Sequence, residues 1–211
     1  MFFASDNGAP CPAPVIQALL RANEGPAMPY GNDPLSAEVA GQIRDVLEAP
    51  DAAVYLVATG TVANALALAT LCPPWGAIFC HEDAHVQNDE CAAPEFYSGA
   101  KLLTVGGDHA RMDPAALDAR IRGQGVRVVH SVQPGAVTIT DVTEAGTVYG
   151  PDDIAALARV AHSHGLPVHL DGARFANAVA ATGATPAELT WKAGVDALSF
   201  GGTKGGLMGA E

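Results

Sequence analysis

Lys204 lies in a glycine-rich loop, Ser199-Phe200-Gly201-Gly202-Thr203-Lys204-Gly205-Gly206, directly after the apolar run Val195–Phe200. The apolar run predicts a short buried strand, so the lysine is expected where a strand ends. Partial burial at such a place frees an amine to attack a carbonyl carbon. A solvated loop lysine is the commoner case for any single lysine. The surroundings of Lys204 must therefore decide between a nucleophile and a surface charge.

Asp171 and Arg174 are the first candidates for those surroundings. Asp171 ends the strand-like run Pro167-Val168-His169-Leu170-Asp171, and it precedes Lys204 by 33 residues, the length of one helical crossover. Arg174 follows in Asp171-Gly172-Ala173-Arg174, close enough to face the same crevice. Taken alone, the aspartate would be a helix N-cap and the arginine a surface ion pair.

Gly60 and Thr61 form a predicted turn between a strand and a helix. The run Ala53–Val57 predicts a buried strand, and Val62–Leu71 is apolar on nearly every side, which indicates an interior helix. The turn between them would present free backbone N–H groups and a positive dipole end, a natural cradle for phosphate. An ordinary N-cap at Thr61 is the alternative. The spacing of a nucleotide P-loop and the GxGxxG pattern are both absent.

Two histidines, His81 and His85, are four residues apart. Neither an HExxH order nor a nearby thiolate pair accompanies them, so we predict a single functional imidazole, or none, and no metal. Tyr30 stands in the loop Tyr30-Gly31-Asn32-Asp33, from which it could reach a pocket or a partner, although packing is the default for a tyrosine.

The remaining pattern alternates strands and helices, which implies parallel βαβ crossovers with sites at the carboxyl ends of the strands. Further predicted strands are Ala77–Cys80, Lys101–Val105, Val126–His130 and Val137–Thr140. Predicted helices start near Pro14, Asp33-Pro34, Asp113-Pro114 and Pro151, and a capping box with proline at the first helical position, Thr185-Pro186-Ala187-Glu188, predicts one more.

Composition limits the class of protein. The 211 residues are 49% hydrophobic and 16% charged, which predicts one large domain, or one and a half, with a real core. A net charge of −12 without a basic cluster excludes nucleic acid and anionic membranes as expected partners. The segment Met1–Asp6 lacks the pattern of a signal peptide, and the four cysteines form no CxxC pair. We therefore expect a soluble cytoplasmic protein.

A phosphate site, a carboxylate, an arginine and a lysine at one sheet edge suit an enzyme that uses pyridoxal 5'-phosphate. In such an enzyme the lysine forms a Schiff base, the aspartate keeps the pyridine nitrogen protonated and the helix end holds the phosphate. These roles fall to Lys204, Asp171 and the Gly60-Thr61 turn.

The chain resembles the fold-type-I pyridoxal phosphate enzymes of the threonine aldolase (β-eliminating lyase) family, in particular the low-specificity L-threonine aldolases. The resemblance spans essentially the whole chain and is specific because several motifs occur in order. The motifs are Ser5-Asp6-Asn7, Tyr30-Gly31-Asn32-Asp33, Gly60-Thr61-Val62-Ala63-Asn64, Ala84-His85-Val86, Thr143-Glu144-Ala145-Gly146-Thr147-Val148-Tyr149, His169-Leu170-Asp171-Gly172-Ala173-Arg174-Phe175 and Phe200-Gly201-Gly202-Thr203-Lys204.

The resemblance implies a three-layer α/β fold with a mostly parallel sheet, the large domain of aspartate-aminotransferase-like enzymes, preceded by an N-terminal segment. For the cofactor, it implies a Schiff base on Lys204, pairing of Asp171 with the pyridine nitrogen, stacking of His85 on the ring, and phosphate binding by Gly60 and Thr61.

For the substrate, the resemblance implies that Arg174 reaches the cofactor's phenolate oxygen or the substrate carboxylate, with Ser5 near that carboxylate. Tyr30 would lie near an active site shared between subunits of a homotetramer built from dimers. The implied reaction is retro-aldol cleavage of L-threonine or L-allo-threonine to glycine and acetaldehyde, with His85, or a water that it orients, as the base.

Two departures from the family pattern shape the expectation. Thr143 stands where some relatives carry a histidine, which leaves His85 as the better candidate base. The sequence ends at Glu211, seven residues after Lys204, whereas relatives continue into a small C-terminal domain with a further carboxylate-binding arginine. We therefore expect a fragment covering the large domain within residues 1–211. Alternative functions are a β-eliminating lyase acting on tyrosine or tryptophan, and an inactive cofactor-binding remnant.

Overall fold

The computed structural model describes residues 4–211, so the first half of the Met1–Asp6 segment lies outside the described residues. The helices are α1 (Ala13–Ala22), α2 (Pro34–Val46), α3 (Gly60–Leu71), α4 (His85–Asn88), α5 (Ala93–Ser98), α6 (Pro114–Arg122), α7 (Pro151–Ser163) and α8 (Phe175–Thr182). The strands are β1 (Gly76–His81), β2 (Lys101–Val105), β3 (Gln133–Thr140), β4 (Val168–Gly172) and β5 (Ala197–Phe200).

The five strands form one parallel sheet in the order β2-β1-β3-β4-β5. Both faces of the sheet are apolar. Successive side chains of a strand point to opposite faces, so alternate residues of one strand enter different cores. Phe79 and Leu170 belong to a core beneath α6, α7 and α8, whereas Ile78 and Cys80 belong to a second core with Leu68 of α3. Helices thus cover both faces, and the predicted three-layer α/β fold is confirmed.

Proline and aspartate define several helix starts as the sequence predicts. Asp33 caps α2 by accepting a hydrogen bond from the Ser36 backbone at 2.8 Å, with Pro34 at the first helical position. Asp113 does the same for α6 through the Ala116 backbone at 2.7 Å. No helix among residues 4–211 has both the length and the apolar character needed to cross a membrane.

The predicted strand Ala53–Val57 is wrong. Tyr55 is 83% exposed and Leu56 55% exposed, and neither lies in a sheet. Val57 exchanges both backbone hydrogen bonds with Glu211, each at 3.0 Å, which is the pattern of an antiparallel pair. A single paired residue makes no strand, so this run lies in a largely exposed segment outside the sheet.

The predicted strand Val126–His130 is also wrong. The segment is a loop in which Val129 is fully exposed and Arg127 adopts a left-handed φ of 65°. The side chain of Gln133 accepts from the Arg127 backbone at 2.7 Å and donates to the Ser131 carbonyl at 2.9 Å. These bonds fold the valine-rich run onto the start of β3 and keep it out of the sheet.

Two helix expectations also need correction. The segment predicted as interior, within α3, has one face open in the described chain, since Val62 is 40% and Leu66 50% exposed. The capping box at Thr185 forms, with the Thr185 N–H donating to Glu188 at 2.8 Å, but turns and a 3-10 segment (Trp191–Ala193) follow it instead of an α-helix. Gly194, with φ 98°, then directs the chain into β5.

Candidate active site

Asp171 occupies the carboxyl end of β4 and is 2% exposed. Its Oδ2 accepts a hydrogen bond from Asn64 Nδ2 of α3 at 3.0 Å, and its Oδ1 accepts one from the Ala173 backbone N–H at 3.1 Å. These donors replace part of the water that the side chain loses on burial, and burial of a polar group without such hydrogen bonds would be costly. One lateral neighbour in the sheet is Thr140, whose buried hydroxyl has no partner among residues 4–211.

His85 begins α4 and lies near the same edge. Its Nδ1 is 2.8 Å from Oε1 of Glu90, whose side chain is fully buried, while the His85 side chain is 31% exposed. The hydrogen bond to Glu90 raises the pKa of His85, burial opposes this, and the charges of Glu90, Asp171 and Glu144 add to the rise. The site therefore favours a histidine that holds a proton more readily than a free imidazole.

Lys204 lies in the loop after β5, and its side chain is 15% exposed. The Nζ atom is 3.8 Å from Oδ1 of Asp6, and the other oxygen of Asp6 accepts from Arg174 Nε at 2.6 Å. Burial opposes ionisation of Asp6, but the Arg174 hydrogen bond and the charges of Arg174 and Lys204 outweigh it and lower the pKa of Asp6. Asp6 thus joins the predicted nucleophile to the predicted anion-binding arginine.

Arg174 uses its other guanidinium nitrogens on Glu144, with Nη1 at 3.0 Å from Oε1 and Nη2 at 3.5 Å from Oε2. Its side chain is 21% exposed. A substrate carboxylate that bound Arg174 would therefore have to replace one of the two carboxylates already present. Fork-shaped pairing of this kind is what a guanidinium does better than an ammonium group.

The start of α3 lies where the sequence predicts, but its cap is Thr59. The Val62 N–H donates to Thr59 Oγ1 at 3.3 Å, so the alternative of an N-cap at Thr61 is wrong. Gly60 and Thr61 are the first two helical residues, whose N–H groups precede the intrahelical hydrogen bonds. A Cβ placed on Gly60 would meet no atom within 4 Å, so the space beside this helix end is open.

Ser5 and Tyr30 are both exposed and make no direct contact with Lys204 among the hydrogen bonds of residues 4–211. Ser5 is exposed and its hydroxyl accepts from the Asn7 backbone at 3.1 Å, so its closest link to the site is its neighbour Asp6. Tyr30 is 97% exposed and adopts a left-handed φ of 63°. Within residues 4–211 no hydrogen bond joins Tyr30 to the residues around Lys204.

His81 is separated from this cluster by its own hydrogen bonds. Its Nε2 is 3.1 Å from the Gly107 carbonyl, and its Nδ1 accepts from the Asp83 backbone at 3.0 Å. Over the described range, 4–211, no three His, Cys, Asp or Glu residues are grouped so that they could hold a metal ion.

Sequence reasoning missed four polar residues of the site. They are Asp6, Asn64, Glu90 and Glu144. Asp6, Asn64 and Glu144 belong to the family motifs, but the sequence predicted no role for any of them. Glu90 lies five residues after His85. This spacing does not predict a contact, because the contact forms only where α4 ends and the chain turns back.

The fold and the site define a three-layer α/β protein with an amine, a buried carboxylate, an arginine and a free helix end around the carboxyl edge of a parallel sheet. Residues 3–211 match the family described as Beta-eliminating lyase. The chain belongs to the β-eliminating lyase family.

The relatives agree with this assignment. A low-specificity L-threonine aldolase from Pseudomonas sp. is 44% identical over 99% of this chain and 60% of its own length. A threonine aldolase structure from Leishmania major superimposes with a TM-score of 0.90 at 28% identity, covering 98% of this chain and 59% of that one. A mutant aspartate aminotransferase of Thermus thermophilus shares the fold, with a TM-score of 0.57, 18% identity and coverage of 77% and 44%. This chain thus spans about 60% of the curated relative's length.

Proposed function

We propose that this chain is the cofactor-binding part of a pyridoxal 5'-phosphate-dependent lyase that cleaves L-threonine and L-allo-threonine to glycine and acetaldehyde. The observation that carries the proposal is that Asp171 and His85 lie at one sheet edge and are joined by hydrogen bonds through Asn64 of α3 and Glu90. The 44% identity to an aldolase named for this substrate supports it. Residues 1–211 would be an N-terminal segment and the large domain.

The residues present fit this cofactor. Its phosphate needs backbone donors, which the open space at Gly60 and the first N–H groups of α3 supply. Its pyridine nitrogen needs a buried carboxylate, and Asp171 is one. Thr203, next to Lys204, has a buried hydroxyl with no partner among residues 4–211, as expected where a further polar group belongs.

In the proposed mechanism, Lys204 would hold the cofactor covalently, Asp171 would pair with its ring nitrogen, His85 would lie against its face, and Gly60 and Thr61 would bind its phosphate. When bound, pyridoxal phosphate supplies an electron sink for the pair released at Cα. The task of the chain is then to orient the Cα–Cβ bond and to move protons. His85, directly or through a water, accepts the proton of the β-hydroxyl group as the bond breaks.

Arg174 binds the substrate carboxylate or the cofactor's phenolate oxygen in this proposal. Asp6 is the carboxylate that would yield its place to the substrate, because it is the more exposed of the two partners, 45% against 24% for Glu144. Ser5, beside Asp6, would contact the same carboxylate.

The proposal includes an assembly and a location. Tyr30, which no part of the site engages within the described residues, would complete the active site of a second subunit in a homotetramer made of two dimers. The protein would act in the cytoplasm on a small β-hydroxy amino acid.

The test is to mix the purified chain with pyridoxal phosphate and then with L-threonine. We expect the absorbance band of a lysine-bound cofactor at about 420 nm and glycine as a product. Glycine without pyruvate identifies the aldolase, whereas pyruvate and ammonia from tyrosine or tryptophan would identify the alternative lyase. A band without any product would identify a cofactor-binding remnant, and absence of the band would contradict every enzymatic reading.

A further inference from the structure

Glu90 and Asn64 are buried polar residues of the site to which the proposed function gives no role of their own. The two hydrogens of Asn64 Nδ2 serve two carboxylates, Glu90 Oε1 at 2.8 Å and Asp171 Oδ2 at 3.0 Å. Glu90 Oε1 is also 2.8 Å from His85 Nδ1. A continuous chain of hydrogen bonds therefore runs from the partly exposed imidazole to the buried aspartate.

The direction of these hydrogen bonds fixes the protons. The carboxylate of Glu90 is an acceptor, and its Oε1 takes one hydrogen from the amide of Asn64. The short contact to His85 is then a donation from Nδ1–H to Glu90. In the neutral imidazole only one nitrogen carries hydrogen, so the lone pair belongs to Nε2.

Burial makes this arrangement firm. The Glu90 side chain has no exposed surface, and Asn64 is 2% exposed. A buried carboxylate without partners would be costly, and Oε2 of Glu90 has none among residues 4–211, so the contacts at Oε1 are the ones that stabilise it. Neither Glu90 nor Asn64 can turn to water instead.

We propose that Glu90, oriented by Asn64, is a positioning residue that holds His85 with its proton on Nδ1 and its Nε2 lone pair facing the site. This inference rests on the proposed function, because it assigns to Nε2 the proton of the β-hydroxyl group. A carboxylate that accepts a hydrogen bond from one nitrogen of a histidine leaves the other nitrogen free to act as a base.

The charges around His85 agree with the proposal. The hydrogen bond to Glu90 raises the pKa of His85 against the effect of burial. The facing carboxylates are Glu90 after α4, Asp171 at the end of β4 and Glu144 in the loop after β3. Glu90→Gln keeps an acceptor oxygen for Nδ1–H and removes the charge, whereas Glu90→Ala removes both, so the two variants separate orientation from electrostatics.

The experiment is NMR of the imidazole nitrogens in the 211-residue chain without added cofactor, titrated from acid to alkaline pH. The signal of His85 is assigned by its loss in His85→Asn, among seven histidines. We expect the wild type at alkaline pH to carry hydrogen on Nδ1. We expect Glu90→Gln to keep that tautomer with a lower pKa, and Glu90→Ala to move hydrogen to Nε2.

Asp118→Asn is the matched control, because Asp118 makes the same kind of contact with His164 at 2.8 Å on the far side of the sheet. It should leave the His85 signals unchanged. With cofactor and L-threonine, Glu90→Gln should lower kcat/KM about 10-fold or more and move the acidic limb of its pH profile to lower pH.

Two results would overturn the proposal: hydrogen on Nε2 of His85 in the wild type at alkaline pH, or a Glu90→Gln titration that matches the wild type. If Glu90→Gln does not fold, the tautomer of the wild type decides by itself. If the wild type forms no glycine, the proposed function fails, while the tautomer still tells whether Glu90 orients His85.

Discussion

At the scale of single residues, the site is an alternation of charges. Asp6 lies between Lys204 and Arg174, and Glu144 lies on the other side of the arginine. Each cation is therefore held by carboxylates that a ligand anion can exchange with, so the site is organised before the ligand arrives. Such preorganisation lowers the entropy cost of binding, because the side chains are already ordered.

The identity of the nucleophile is the first residue-scale prediction. The chain contains three lysines, Lys101, Lys192 and Lys204. We expect Lys204→Ala to lose the absorbance band at about 420 nm and to lower glycine formation about 10³-fold or more. Absorbance and a glycine assay measure this. Lys101 begins β2 and Lys192 lies in the 3-10 segment, so neither of these lysines is at the carboxyl ends of the strands. Lys192→Ala, which removes an exposed lysine paired with Glu48 at 2.6 Å, should behave as wild type. A full band in Lys204→Ala would assign the cofactor to another lysine.

The role of Arg174 in binding the substrate is the second residue-scale prediction. Arg174→Lys keeps the charge but cannot contact Asp6 and Glu144 together in the forked geometry. We expect the KM for L-threonine to rise about tenfold, as the loss of one charge-assisted hydrogen bond predicts, with a smaller change in kcat. Arg111→Lys, which alters a surface pair with Asp153 outside the site, is the control. An unchanged KM would remove Arg174 from the substrate site.

At the scale of elements, prediction succeeded where local pattern and tertiary context agree. Strand β2 was predicted with the bounds that the structure has, because Lys101–Val105 is a short apolar run of strand length and three of its side chains are buried in the sheet. The runs Ala53–Val57 and Val126–His130 have the same β-branched character but lie outside the sheet. Propensity for β-structure describes a side chain that fits a pleated surface, and only tertiary context determines whether that surface exists.

In the candidate site, too, some positions could be predicted from the sequence and some contacts could not. The positions of Asp171 and Lys204 could be predicted from sequence, because Asp171 lies at the end of β4 and Lys204 follows β5, and the carboxyl ends of these strands share an edge. The bond between Asp6 and Arg174 joins residues 168 apart, and no periodicity links positions so distant. The same holds for Asn64 and Glu90, whose contact depends on how α3 lies against the chain after α4.

Strand β4 also shows how one element serves both site and core. Its Val168 and Leu170 face one core, so His169 and Asp171 face α3. His169 bridges Thr138 of β3 at 2.8 Å and Ser199 of β5 at 2.9 Å, and burial lowers its pKa to about 4. A neutral histidine therefore ties three strands together two residues before Asp171.

The cap of α3 gives the element-scale prediction. Thr59→Ala should lower the free energy of unfolding by about 1 kcal/mol, because the Val62 N–H loses its acceptor. Urea denaturation followed by circular dichroism measures it. Thr59→Ser keeps the oxygen and should retain most of the stability. Thr61→Ala should cost less than Thr59→Ala, and the reverse order would restore Thr61 as the cap.

At the scale of the whole molecule, stability depends on pH through groups with opposed signs. Hydrogen bonding to His164 lowers the pKa of Asp118, so its contribution is present above the unfolded pKa and is lost as pH falls through the folded one. The pKa of buried His169 is lowered to about 4 from 6.5, so the folded chain binds fewer protons between these values and its stability rises with pH there. The raised pKa of Asp141 has the opposite effect on stability as pH rises.

Asp141 follows β3 and is 1% exposed, and burial raises its pKa to about 7 from 3.8. Its Oδ1 accepts from the Tyr149 backbone at 3.1 Å, but its buried Oδ2 has no partner among residues 4–211. Between about pH 4 and pH 7 the folded chain therefore holds a proton that the unfolded chain has lost. By linkage, the contribution of Asp141 to stability falls as pH rises through this window.

Asp141→Asn should remove this dependence, since the amide keeps the acceptor for Tyr149 and carries no charge at any pH. We expect the variant's free energy of unfolding, relative to wild type, to be greater at pH 8 than at pH 4.5 by roughly 2–4 kcal/mol, because each pKa unit corresponds to about 1.4 kcal/mol. Urea denaturation of both proteins at the two pH values measures the difference. In Asp118→Asn, loss of the partly exposed carboxylate should produce no such gain at pH 8. A constant difference between Asp141→Asn and wild type would show that Asp141 is ionised in the folded chain throughout this range, with an unrecognised donor at Oδ2.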